Sequence, residues 1–317
     1  MTEVDLYNLS PTLRLLGMCV LIALLPLVWT LYHNRHQPVN FKLRAITVLT
    51  LFLTFDLVLF GSFTRLTDSG LGCPDWPGCY GSASPIGAVA HIDAAQTAMP
   101  TGPVTHNKAW IEMIHRYFAM VVGFLILVLA LSSTWQRWKG QFSFNGAWQV
   151  KPFWAWFTLF WVCMQGAFGA LTVTLKLSPA IVTLHLLGGI GLLVLLSAQL
   201  AWKPSSQRQT IGKRHRQLIW AAAAFLTLQI AMGAWVSTNY AVLACTGFPD
   251  CNGQWWPAWN FQGFEIWRGL GMDSKGQYLP MEALVSIHFV HRLMALFVFT
   301  FAAIMLWQFK KANILPG

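Results

Sequence analysis

The sequence predicts an all-α protein that crosses a membrane several times, and three observations support this fold class. Of 317 residues, 56% are apolar and only 10% are charged, whereas a soluble domain carries roughly 25% charged residues. The mean hydropathy is +0.51. Apolar segments alternate with short basic ones, and a pair of cysteines followed by a helical His-Arg occurs twice. We therefore expect a polytopic membrane protein built as a tandem four-helix-bundle repeat, whose second copy is incomplete.

Seven segments are long enough to cross a hydrocarbon core, which takes roughly 20 apolar residues per helix. They lie at about 12–32, 44–65, 109–135, 152–175, 179–201, 216–239 and 283–308. Glu3 and Asp5 precede the first segment, which has no basic leader and no convincing cleavage site. We therefore interpret it as a retained helix rather than a signal peptide.

The distribution of basic residues predicts the orientation of these spans. Thirteen of the 21 Lys and Arg residues fall in one set of short connections: Arg35, Lys42, Arg44, Arg137, Lys139, Lys151, Lys203, Arg208, Lys213, Arg214, Arg216, Lys310 and Lys311. The long loops 66–108 and 240–282 carry mostly acidic charge. By the positive-inside rule the N-terminus and both loops lie outside and the C-terminus inside. The net charge of +10 then reflects orientation, and does not indicate a nucleic-acid partner.

An internal repeat divides the chain. Cys73 and Cys79 recur as Cys245 and Cys251 at an offset of 172 residues, each pair between an apolar span and a Trp/Pro-rich loop. We predict an extra N-terminal helix and basic inner loop at 1–43, a first bundle at 44–205, and a second half-bundle at 206–317. Nothing after the seventh span matches spans four and five. Either two C-terminal helices are missing from this sequence, or the second site is completed in another way.

Glu112, His115 and Arg116 share roughly one face of the third span, because positions i, i+3 and i+4 are neighbours on a helix. Ionisable groups inside a bilayer are costly and mark functional sites. His185 lies about six residues inside the fifth span, as His115 does in the third, so both imidazoles are expected roughly 10 Å below the outer surface. Two such histidines predict axial ligation of a haem iron, although each could instead bond a backbone carbonyl.

The other polar residues of the spans receive candidate roles at this haem site. Glu112 would lie at the haem edge as a proton shuttle or charge stabiliser, or serve only as the structural partner of Arg116. His288, His291 and Arg292 repeat the pattern in the seventh span, with His291 as the candidate ligand and His288 beside it. Arg65, Arg116 and Arg292 are candidate partners of haem propionates, with snorkelling to headgroups as the alternative. Gly188, Gly189 and Gly191 would admit either a macrocycle or a neighbouring helix.

The two cysteine pairs lie on the predicted oxidising side, where short-loop disulfides form. A zinc site, the alternative, prefers four ligands at tighter spacing. The spacing does not say whether such disulfides are structural or exchange electrons.

These motifs resemble those of the haem A synthase family. The resemblance rests on the run from Thr64 to Cys79 (TRLTDSGLGCPDWPGC), on Glu112-x-x-His115-Arg116, on Leu184-His185 and on His288-x-x-His291-Arg292, and it covers nearly the whole chain from about residue 44. It implies a first bundle that holds the substrate haem O between His115 and His185 with Glu112 nearby, and a second that holds a haem b on His291 for electron transfer. A haem methyl would be hydroxylated in steps to a formyl group, giving haem A.

The resemblance also implies the setting: a bacterial inner membrane, terminal oxidase assembly, and haem O synthase as the candidate source of substrate, with a homo-oligomer left open. Two departures from the family stand out. The helix that carries the fourth family histidine is absent from this sequence, and the first span places the N-terminus outside.

The sequence leaves two alternative functions open. A haem transporter or chaperone would use the aromatic run from Gln254 to Trp259 as a platform, but would not need the Glu112 carboxylate. A dihaem quinol-oxidising cytochrome b would need histidine pairs at two depths, whereas all candidate histidines lie near the outer level.

Overall fold

The computed structural model describes residues 10–140, 150–201 and 212–312. The part of the chain so described is helical and contains these α-helices: α1 (Ser10–His33), α2 (Val39–Leu66), α3 (Val89–Ala98), α4 (His106–Trp138), α5 (Pro152–Thr174), α6 (Pro179–Leu200), α7 (Lys213–Thr238) and α8 (Met281–Lys311). Seven of them, all but the short α3, are long and apolar enough to cross a membrane. The predicted class, an all-α multi-pass membrane protein, is confirmed.

Every predicted span corresponds to one of these helices, with corrected ends. Helix α4 begins at His106 rather than at about 109, because the Thr105 hydroxyl caps it by accepting a hydrogen bond from the Lys108 N–H at 3.3 Å. The short helix α3 was not predicted. Glu3 and Asp5, which precede the first span, and Lys203 and Arg208, two of the thirteen basic residues that predict the orientation, lie outside the described residues.

The chain divides into two compact units, Met1–Lys176 with Gly188–Gln207, and Leu177–Leu187 with Arg208–Gly317. The sequence-based boundaries at 43/44 and 205/206 stay predictions.

In the first unit α4 is the central helix. Val121 and Leu125 pack in one cluster with Ala23 of α1 and Ile46 of α2. On another side of α4, buried apolar residues pack against Leu192 and Leu196 of α6. Because α4 has neighbours on several sides, its side chains are buried around much of its circumference rather than along one stripe.

The long loop between α2 and α4, which includes α3, packs onto the beginning of α4. The disulfide between Cys73 and Cys79 is fully buried. It lies in a cluster with Leu15 of α1, Ile92 of α3 and Met113 of α4. Helix α1 therefore covers part of the loop as well as the side of the bundle.

In the second unit α7 and α8 pack side by side. Phe225 of α7 meets Phe297 and Phe301 of α8 edge-on, with ring centroids 4.8 and 5.0 Å apart. Nearer the loop, the Trp235 indole N–H donates to the Gly263 carbonyl at 2.9 Å. A second disulfide, Cys245–Cys251, packs with Val285 and Phe289.

The two long disulfide-bearing loops share backbone conformations at the 172-residue offset. Left-handed φ angles occur at Asp68 and Tyr240 (52° and 55°), and again at Tyr80 and Asn252 (49° and 54°). The backbones of Cys79 and Ser82 exchange two hydrogen bonds, as do those of Cys251 and Gln254. Each unit thus presents a similarly folded disulfide loop next to its histidine-bearing helix.

Candidate functional site

The Glu112 carboxylate holds the first disulfide loop against α4. Its side chain is buried, and Oε2 accepts a hydrogen bond from the Cys73 backbone N–H at 2.7 Å. Oε1 pairs with the Arg116 guanidinium one turn later on the same helix. A buried carboxylate that has both an N–H donor and a cationic partner is well compensated. This geometry matches the structural alternative for Glu112, which is to act as the partner of Arg116.

Arg116 continues this network into the loop. Its Nη1 donates to the carbonyls of Asp75 (2.8 Å), Pro77 (3.3 Å) and Gly78, and its Nη2 donates to that of Cys73 at 3.5 Å. The loop carbonyls thereby find a buried cationic donor, which fixes the loop without a regular ladder of backbone bonds.

The same loop contact recurs in the second unit. Arg292 donates to the carbonyls of Gly247 (2.9 Å), Asp250 (2.7 Å) and Cys245 (3.2 Å). His288 takes the place of Glu112, and its Nδ1 lies 3.0 Å from the Ala241 carbonyl oxygen. Both guanidinium groups donate to loop carbonyls. Their predicted roles in binding haem propionates stay predictions.

The loop is held by close packing as well as by charge. A Cβ placed on Gly72 would come within 2.4 Å of the Lys108 carbonyl, so the loop backbone touches that of α4 directly. Close by, the Asp75 carboxylate accepts the N–H groups of Tyr80 and Gly81 at 2.6 and 2.7 Å. Burial first, and the Asp75 charge second, raise the pKa of the Tyr80 phenol.

In the second loop a buried arginine is the organising group. Arg268 donates to the Asn239 side chain and to the carbonyls of Gly263 and Met272. Burial lowers the pKa of its guanidinium, and the nearby Glu265 carboxylate opposes that shift.

The His115 imidazole lies against the backbone of α2. A Cβ placed on Gly61 would meet the His115 Cε1 at 2.9 Å, so only glycine leaves room for the ring in this position. Phe60 stacks on the ring with an interplanar angle of 10° and centroids 6.3 Å apart. The ring orientation is therefore set by α2, the span that precedes the loop.

His291 has the same relation to α7. A Cβ on Gly233 would meet its Cε1 at 3.1 Å. Gly61 and Gly233 are again 172 residues apart. In addition, the Gln229 carboxamide lies 3.2 Å from the His291 Nδ1. We call these two arrangements the histidine seats: Gly61 with His115, and Gly233 with His291.

His185 lies on α6, six residues after its start at Pro179. The Nδ1 atom is buried and has no hydrogen-bond partner among the described residues. The alternative for this imidazole, a hydrogen bond to a backbone carbonyl, is therefore not seen at Nδ1 within the described residues. Because α4 begins at His106, His115 lies nine residues inside its helix rather than six.

The glycines after His185 serve helix packing. A Cβ placed on Gly188 would lie 1.8 Å from the Gln165 Nε2. A Cβ placed on Gly191 would lie 2.9 Å from the Trp161 ring. The Trp161 N–H donates to the Gly188 carbonyl at 2.8 Å. Of the two roles predicted for Gly188 and Gly191, the approach of a neighbouring helix is the one observed.

Arg65 makes an ion pair with Asp68 at 3.7 Å at the end of α2. Within residues 10–140, 150–201 and 212–312, no three or more His, Cys, Asp or Glu side chains lie close enough together to bind a metal ion by themselves. The four loop cysteines are joined in disulfides, so they do not form the alternative zinc site.

Sequence reasoning missed Gly61, Gly233 and Gln229. A signal existed for the two glycines, since each occurs at the repeat offset in the span before its loop. Gln229 has no counterpart in the first half, where Leu57 stands at the same offset, so the repeat could not identify it.

The described fold defines a multi-pass helical membrane protein in which each unit has a histidine seat beneath a disulfide loop. The chain belongs to the COX15-CtaA family of cytochrome oxidase assembly proteins, whose family model matches residues 44–316. Helix α1 precedes the matched region.

Proteins named heme A synthase are among its relatives. The one from Shewanella oneidensis is 35% identical over 254 residues, which are 78% of this chain and 73% of the relative. The Shouchella clausii protein is 30% identical over 68% of this chain and 65% of its own length. The Alkalihalophilus pseudofirmus protein is 26% identical over 85% of this chain and 77% of its own.

Proposed function

We propose that the chain is a haem A synthase, which oxidises a methyl group of haem O to a formyl group by successive hydroxylations. Family membership and the relatives bearing that name support the activity. Written with water as the source of oxygen, the conversion of the methyl group to a formyl group releases four electrons and four protons, and an external electron acceptor must take up the electrons. Two hydroxylations followed by loss of water account for this balance.

His115 and His185 are the residues that would hold the iron of the substrate haem. Both residues fit this role chemically: the His115 ring is held by Gly61 and Phe60, and the His185 Nδ1 is buried without a protein partner among the described residues. Neutral imidazoles are common haem ligands. The bound haem supplies the iron and the reacting methyl group, and the protein supplies orientation and an apolar surrounding.

Glu112 has two roles in this proposal. Its bonds to Cys73 and Arg116 support a role in fixing the loop above the site. Its negative charge would also stabilise positive charge that develops on the reacting carbon. Arg65, Arg116 and Arg292 are the proposed propionate partners. Arg65 would reach a propionate alongside its ion pair with Asp68, and Arg116 and Arg292 alongside their loop carbonyls.

The second unit is proposed to bind a haem b that transfers electrons. His291 would hold it, and the ring contact with Gly233 and the Gln229 carboxamide on the ring nitrogen support this role. His288 lies one turn earlier with its Nδ1 at the Ala241 carbonyl, so it would act beside the ligand.

We propose that the protein lies in a bacterial inner membrane with both disulfide loops outside. The thirteen basic residues on one side support this orientation. Two disulfides in the long loops agree with an oxidising outer compartment. Haem O synthase and the terminal oxidase are the proposed partners in supply and use of haem, and a homo-oligomer stays a prediction.

The observation that best supports this function is the repeated histidine seat beneath a disulfide loop, in a chain of this family. The test is to express the full chain with a haem O synthase in a host that makes no haem A, and to extract its pigments. Haem A or hydroxylated haem O should form with the wild type and be lost with His115→Ala and His185→Ala. His91→Ala, which alters a loop histidine stacked on Tyr80, is the matched control and should retain activity. Wild-type protein that returns only unchanged haem O would overturn the proposal.

A haem carrier is the second candidate, supported by the aromatic surface of the second loop. Trp255 and Trp256 are 73% and 66% exposed, which is unusual for such large apolar side chains. Because Glu112 now has a structural explanation, its presence no longer argues against a carrier. Haem b alone in the extract, together with loss of haem transfer in a Trp255→Ala variant, would favour this function.

A further inference from the structure

The two histidine seats differ in one polar contact. In the second unit the Gln229 carboxamide lies 3.2 Å from the Nδ1 of His291. Gln229 precedes Gly233 by one helical turn on α7, so the two residues contact the imidazole from the same helix face. In the first unit Leu57 precedes Gly61 by the same interval, and it packs with the apolar cluster around Val122 and Ile126.

The chemistry of an imidazole ligand gives this difference a consequence. A ring nitrogen that binds iron must have a free lone pair, so the other nitrogen must carry the proton and donate it to an acceptor. Rotating the carboxamide by 180° about its last side-chain bond exchanges its oxygen and nitrogen, and the side chain keeps nearly the same shape. The Gln229 Oε1, turned away from the ring, is buried and has no hydrogen-bond partner among the described residues. Turning the amide gives this oxygen the Nδ1–H of His291 as a donor and leaves the Nε2 lone pair free.

We propose that Gln229 is a positioning residue that fixes the tautomer and orientation of His291 for haem ligation in the second unit. This inference rests on the proposed haem b site. A hydrogen-bond acceptor on Nδ1, the nitrogen that does not bind iron, makes the imidazole a better electron donor to iron. This stabilises the ferric state and strengthens haem binding. The haem on His291 therefore has a lower midpoint potential with Gln229 than it would have with the leucine of the first unit.

The test uses the purified full chain in detergent. Gln229→Leu, which copies the first unit, should shift the midpoint potential of the b-type haem to more positive values and speed its loss to apomyoglobin about tenfold or more. Gln229→Glu offers a stronger acceptor and should shift the potential in the opposite direction. A merely structural role would not give shifts of opposite sign. Leu226→Ala, at an exposed position of α7, and Leu57→Gln in the first unit should leave the b-haem potential unchanged.

The outcomes separate the two proposals. Wild-type protein without a b-type haem, or with one that persists in His291→Ala, would overturn both this inference and the haem b site. A b-type haem that depends on His291, but whose potential and loss rate are the same in Gln229→Leu and Gln229→Glu as in the wild type, would overturn the role of Gln229 alone.

Discussion

The Glu112 carboxylate in α4 accepts the backbone N–H of Cys73 at 2.7 Å, across 39 residues of sequence. This bond ties the helix that carries His115 to the disulfide loop, and Arg116 extends the tie to the loop carbonyls. In the second unit His288 and Arg292 tie α8 to its own loop. The family motif therefore encodes a loop anchor and a candidate ligand on one helix.

Replacing Glu112 should separate its anchoring role from its proposed role in catalysis. Glu112→Ala leaves the buried Arg116 without its anion, so we expect a loss of roughly 3–5 kcal/mol of unfolding free energy. Glu112→Gln keeps an acceptor for the Cys73 N–H and should lose less. The measurement is thermal unfolding in detergent, with haem A yield assayed in parallel. If Glu112→Gln is stable and still converts haem O fully to the aldehyde, the charge has no role in the reaction.

The two loop arginines should differ in their sensitivity to substitution. Arg116 is 9% exposed and also pairs with Glu112. Arg292 is more exposed, has no carboxylate partner among the described residues, and contacts loop carbonyls and the face of the Phe248 ring. Lysine retains the charge but cannot reach several carbonyls at once. We expect Arg116→Lys to speed reduction of Cys73–Cys79 by dithiothreitol more than Arg292→Lys speeds reduction of Cys245–Cys251. Mass spectrometry after thiol alkylation measures both rates, and equal effects would contradict this ranking.

The histidine seats make two glycines sensitive to a single methyl group. Gly61→Ala and Gly233→Ala place a Cβ 2.9 and 3.1 Å from the facing imidazole, so the ring must move and its haem should be bound at least about tenfold less tightly. The haem content of purified protein measures the effect. Gly123→Ala and Gly166→Ala are the controls, because a Cβ there meets nothing within 4 Å. Retention of full haem content by Gly61→Ala would show that the His115 ring is not held by this contact.

Gly72 should be the least replaceable residue of the first disulfide loop. A Cβ there would lie 2.4 Å from the Lys108 carbonyl of α4, so the loop would have to lift away from the helix and weaken the bond between Cys73 and Glu112. We expect Gly72→Ala to lower the unfolding temperature and to expose Cys73–Cys79 to reductant. Gly269→Ala in the second loop meets nothing within 4 Å and should behave as the wild type.

The sequence by itself determined the membrane class, the seven spans and the internal repeat. These features follow from the length and composition of apolar segments and from the recurrence of cysteine and histidine motifs, which do not depend on how helices pack. The third span was predicted to begin at about 109, three residues after the start of α4 at His106, because the Thr105 cap lies in a polar stretch that hydropathy does not register.

Only the tertiary structure decided what the polar residues of these spans contact. Spacing places Glu112, His115 and Arg116 on one helix face, but that face spans a wide arc, and the neighbours that fill it come from distant segments. In the structure Glu112 and Arg116 contact the disulfide loop, and His115 lies against Gly61. His291 contacts Gln229, a residue with no equivalent in the first half of the repeat. A side chain's partner depends on which helix packs beside it, and that is set by contacts far apart in sequence rather than by the local pattern.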